Sequence, residues 1–81
     1  VFNVIIVFFL RDFMNHIARY RKTANLTQKA LGQCIGVSQG AVGNYELGQR
    51  SVDLNTGWKI INALNLHNVK CKFCDVFPNP K

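Results

Sequence analysis

Acidic residues are scarce in this chain: its 81 residues hold four Asp and Glu against ten Lys and Arg, a formal net charge of +6. Four scattered carboxylates, two distant histidines (His16 and His67) and no glycine-rich phosphate loop leave no paired acid and base. The expectation is a protein that is not an enzyme and needs no cofactor. Cysteine is sparse as well. Three thiols (Cys34, Cys71 and Cys74) are an odd number and no secretory signal precedes them, which excludes a disulfide framework and points to a reducing cytoplasm. No apolar run reaches the ~20 residues that a membrane-spanning helix needs. The opening run VFNVIIVFFL meets Arg11 and Asp12 after ten residues. Residues 1–10 therefore read as an apolar extension, a strand or helix packing on the body or on a second subunit, or as sequence upstream of a natural start near Met14.

What is present supports a small core. The hydrophobic fraction is 48%, enough for one domain over residues 1–81 without disulfide or metal. The basic residues are not spread evenly. Between Phe13 and Tyr45 lie Arg19, Arg21, Lys22 and Lys29 and no acid, a stretch whose natural complement is a polyanion.

A helical core is expected over residues 11–66. Asp12 can cap a first helix with Phe13, Ile17 and Tyr20 or Arg21 on one face, and Asn25 suits a left-handed exit. Thr27 caps a second helix, Gln28 to Ile35, whose buried face is Ala30, Leu31, Cys34 and Ile35. Gly36 breaks it. Ser38 caps a third helix from Gln39 to about Leu47, with Val42, Tyr45 and Ala41 inward, and Gly48 stops it. Asp53 or Asn55 caps a fourth helix that buries Trp58, Ile60, Ile61 and Leu64. Residues 68–77 then alternate: Val69, Cys71, Phe73 and Phe77 share one face against Lys70 and Lys72, with Asp75 the exception. That pattern predicts a β-strand ended by Pro78 and Pro80. A lone strand on a helical body needs a partner, and the simplest is the same strand of a second copy, giving a homodimer.

Two short helices joined by a tight glycine turn form a helix-turn-helix. Gly32 keeps the first of them thin, Gly36 turns the chain, Val37 plugs the gap and Val42 anchors the second. The exposed remainder of that second helix is Gln39, Gly40, Gly43 and Asn44, polar and uncharged. Gln and Asn pair bidentately with adenine in the major groove.

From about Phe13 to Leu66 the pattern Leu26-Thr27-Gln28, Ala30-Leu31, Gly36-Val37-Ser38, Val42, Tyr45-Glu46 and Gly48 resembles the Cro and lambda-repressor type (XRE-like) helix-turn-helix family. The resemblance implies a mainly α, lambda-repressor-like domain of four to five helices that regulates transcription as a repressor, a homodimer on a palindromic operator in double-stranded DNA at the nucleoid. It implies base reading by Gln39, Ala41 and Asn44. Thr27, Gln28, Lys29, Ser38, Gln49 and Arg50 would meet phosphates, with Gln28 at a helix N-terminus. Arg21 would pair with Glu46 as a structural brace. Gly40 and Gly43 stand where relatives often carry reading side chains, so DNA shape is expected to add specificity.

The segment Leu54-Asn55-Thr56-Gly57-Trp58-Lys59-Ile60-Ile61-Asn62-Ala63-Leu64-Asn65-Leu66, followed by a strand with a Cys, also resembles the HipB-type antitoxins. That likeness implies dimerisation through Val69, Cys71, Phe73 and Phe77, and a HipA-like Ser/Thr kinase toxin as partner. A zinc site at His67, Cys71 and Cys74 is disfavoured, because strand residues three apart point to opposite faces and a fourth ligand is missing.

Overall fold

The computed structural model describes residues 15–78; Asp12, Phe13, Pro80 and the apolar extension lie outside the described residues. Five helices follow in order: α1 Ile17–Thr23, α2 Gln28–Ile35, α3 Gln39–Glu46, α4 Leu54–Leu66 and α5 Phe73–Val76.

Their ends are set by side chains and backbone chemistry visible in the sequence. Asn15 accepts the Ile17 N–H at 3.2 Å and so starts α1. Arg21 and Lys22 lie in its last turn, where the negative end of the helix dipole favours cations, and Asn25 leaves at φ 59°. Thr27, Ser38 and Asp53 accept the N–H of the residue three positions on, at 2.9, 3.1 and 3.1 Å, capping α2, α3 and α4. Gly36 closes α2 at φ 78°, a left-handed conformation that favours glycine.

Helix α2 packs on both α3 and α4. A single core joins Ile17, Leu31, Ile35, Val42, Tyr45, Ile60, Ile61 and Leu64 with Val69 and Val76 of the tail. Each fully buried aliphatic side chain there stabilises by about 1.5–3 kcal/mol. Gly32 is required by space. A Cβ on it would lie 2.6 Å from the Val37 carbonyl oxygen, so its bareness serves the turn between α2 and α3.

The tail corrects the strand expected over residues 68–77. No strand forms among the described residues, and Phe73–Val76 is a helical turn instead. Asp75 accepts the Lys72 N–H at 2.8 Å and so starts the turn from within. Asn65 does what a neighbouring strand would have done: its amide accepts the Cys71 N–H at 3.1 Å and donates to the Cys71 carbonyl at 3.4 Å. The residues assigned to dimerisation go into the chain's own body. Val69 is buried, and Cys71, Phe73 and Phe77 pack against the core. Phe73 lies over Gly57, where a Cβ would come within 2.9 Å of its ring. The His16 N–H donates to the Val76 carbonyl at 2.7 Å, tying the tail to the start of α1.

Two further core assignments are corrected. Trp58 is 49% exposed, with one face on Phe73 at a ring-centroid distance of 5.0 Å. Cys34 is exposed, because it lies beside the end of α4 at His67 rather than beneath that helix.

Candidate nucleic-acid interface

The brace between Arg21 and Glu46 is present. Arg21 Nε donates to Glu46 Oε2 at 2.6 Å and Nη2 to Oε1 at 3.4 Å, while Nη1 donates to the Leu26 carbonyl at 2.8 Å. The two side chains are only 11% and 7% exposed. Gln28 joins them, its Nε2 donating to Glu46 Oε1 at 2.9 Å. One carboxylate therefore ties α1, α2 and α3 together. Glu46 is the one acid between Phe13 and Val52, and Arg21 neutralises it within the domain. The outward charge of this stretch is left to cations such as Lys29 and Arg50, both exposed.

Beyond α3 the backbone is held by its own helix: the N–H groups of Gln49 and Arg50 both donate to the Asn44 carbonyl, at 3.0 and 3.3 Å. The Arg50 guanidinium lies 5.5 Å from the centre of the Tyr45 ring, a cation–π distance. Asn15, which the sequence reading passed over, donates to the Tyr45 carbonyl at 2.9 Å and ties the end of α3 to the start of α1. A short polar residue before a helix gives no sequence signal for that long-range bond.

Helix α3 turns Gln39, Gly40 and Asn44 outward, all exposed, with Gly43 half-buried. Ala41 is the correction here. At 7% exposed its methyl belongs to the core, because position 41 shares the inward face with Val42 and Tyr45. Thr27, Lys29, Ser38, Gln49 and Arg50 are exposed around this face. Gln28 is half-buried with its amide on Glu46, and its backbone N–H, at the first position of α2, is left by helix geometry without an intrahelical acceptor.

Gly40 and Gly43 are not demanded by packing. A Cβ on Gly40 would meet nothing nearer than Ser38 Oγ at 3.9 Å, and one on Gly43 nothing nearer than the Gln28 amide at 3.6 Å. Glycine inside a helix costs about 0.8–1.0 kcal/mol relative to alanine. The cost is carried on the outward side of α3.

His67, Cys71 and Cys74 are not assembled into a metal site: among the described residues no group of three or more His, Cys, Asp or Glu is placed to hold an ion. Among the same residues no helix is long and apolar enough to cross a membrane.

A capped helix pair joined by a left-handed glycine, with a polar face on the second helix and basic residues around it, defines a DNA-binding helix-turn-helix domain. The helix-turn-helix family profile matches residues 17–67, and the chain belongs to that family, of the XRE type, as a DNA-binding transcription regulator. No curated protein and no solved structure matches beyond that.

Proposed function

We propose that this protein represses transcription by covering a palindromic operator as a homodimer, with α3 in the major groove. The carrying observation is the pair of glycines on α3 that packing does not demand. Their bareness lets the helix backbone approach the base edges, with Gln39 and Asn44 as the reading side chains. Thr27, Lys29, Ser38, Gln49, Arg50 and the backbone of Gln28 hold the flanking phosphates. In this reading the protein acts on cytoplasmic DNA at the nucleoid and catalyses nothing.

Dimerisation falls to the exposed apolar face of α4 rather than to the tail. Leu54 and Trp58, one helical turn apart, are 67% and 49% exposed. Selection from random duplexes should return an inverted repeat with half-site centres about one helical turn, ~34 Å, apart. Enrichment of a single asymmetric site, or none, overturns the palindromic reading.

The same apolar face supports a second reading, a HipB-like antitoxin that neutralises a HipA-like Ser/Thr kinase toxin and regulates its own operon. Tail strand pairing no longer supports it, since residues 73–76 are helical. A kinase reading frame abutting this one favours it, and a divergent promoter without such a frame removes it.

A further inference from the structure

Cys34 and His67 come together across the α2–α4 boundary, with Cys34 Sγ 3.8 Å from His67 Nε2. His67 ends α4, its backbone N–H donating to the Ala63 and Leu64 carbonyls, which fixes the main chain from which the imidazole projects. The pair lines a surface hollow of about 300 Å³ whose other walls are Lys59, Asn62, Ala63 and Leu66. Among the described residues no carboxylate lines it, and the cationic Lys59 does. Nucleophile, proton acceptor, a cation and an apolar wall thus face one space outside the DNA-binding surface.

We propose that Cys34 is a thiol-modification site that captures a small disulfide bearing carboxylates, with His67 accepting the thiol proton. With the imidazole proton on Nδ1, Nε2 accepts from the Cys34 thiol. The step is thiol–disulfide exchange: the Cys34 sulfur attacks one sulfur of the reagent as its S–S bond breaks. A Cys34–S–S–R bond forms, and the proton passes by way of Nε2 to the departing thiolate. Cys34 is oxidised and the reagent's second sulfur is reduced, with no further oxidant. Lys59 draws the carboxylates into the hollow, and Leu66 and Ala63 cover the carbon skeleton. The other thiols are differently placed. Cys74 is exposed without a histidine contact among the described hydrogen bonds, and burial, with Asp75 nearby, holds the Cys71 thiol protonated.

The test treats the full reduced chain with neutral dithiodipyridine and with dianionic dithiobis(nitrobenzoate), mapping each modified thiol by mass spectrometry. With the neutral reagent Cys34 should react roughly tenfold faster than Cys74, in keeping with activation of a thiol by an adjacent base. His67→Gln and His67→Asn should each abolish that lead while circular dichroism stays unchanged. Lys59→Gln should slow the dianionic reagent and leave the neutral one unaltered. Equal rates at Cys34 and Cys74 in the unmodified sequence overturn the site, whatever the variants do. Equal slowing of both reagents by Lys59→Gln overturns the assignment of an anionic partner.

Discussion

Arg21 and Glu46 form a two-point, nearly buried ion pair that reaches from α1 to the last turn of α3, and Gln28 closes the same carboxylate from α2. Removing one partner strands the other. Glu46→Ala should lower the unfolding free energy by roughly 2–4 kcal/mol in urea titration, because the Arg21 charge loses its compensation. Replacing both residues by methionine should restore much of that loss. If the single variant costs as little as an exposed pair, below about 1 kcal/mol, the pair is not a brace.

Gly32 and Gly40 make opposite predictions from the same substitution. Gly32→Ala drives a methyl against the Val37 carbonyl oxygen, and backbone must move, costing about 1–3 kcal/mol. Gly40→Ala meets open space and should gain up to about 1 kcal/mol of stability. The added methyl should nevertheless weaken operator binding. Thermal melts and fluorescence anisotropy on the two variants separate the effects, and unchanged affinity for Gly40→Ala sinks the close-approach argument.

Gln39→Ala should cost about 1–3 kcal/mol on the selected operator and little on random DNA. Equal losses on both would make Gln39 a backbone contact. Binding of either sequence should weaken steeply with salt as counterions are released, and a flat salt response argues against phosphate contacts.

Phe73 and Phe77, with ring centroids 4.9 Å apart, cover the tail side of the domain. Phe73→Ala should destabilise by roughly 2–4 kcal/mol, allowing for its partial burial. The loss should be the same at every protein concentration, since the ring packs on its own chain. A concentration-dependent loss would return the tail to the subunit interface.

The Asp53 carboxyl is held below its ordinary range, first by the Thr56 side chain and then by the Thr56 N–H. A depressed acid contributes stability that is complete above its unfolded value and fades as pH falls through the folded one. The stability difference between the parent and Asp53→Ala should therefore shrink on acidification below the carboxylate range. Melting curves across an acid series measure it, and a difference that stays constant removes the charged cap.

The helix-turn-helix was legible because its boundaries are local. Thr27, Ser38 and Asp53 act on residues three positions away, and the left-handed backbone at Asn25 and Gly36 follows from residue type alone, a short polar side chain in one and no Cβ in the other. The Arg21–Glu46 brace was legible only through family resemblance. The tail was misread because Phe73, Val76 and Phe77 fit a short helix as well as Val69, Cys71, Phe73 and Phe77 fit a strand. Over so few residues period 2 and period 3.6 do not separate. Asp75, the misfit in the strand, was the cue, since it starts the turn. Two side chains acting at a distance gave no cue: Asn65 takes up the Cys71 backbone, and His67 meets Cys34. Ala41 was assigned to the DNA by analogy, although its own neighbours on the helix put it inside.

The bond from His16 N–H to the Val76 carbonyl has a consequence for how the molecule is made. The first turn of α1 stays without this partner until Val76 has left the ribosome and folded back. A nascent chain can therefore form the capped helix pair before the start of α1 is closed by the tail.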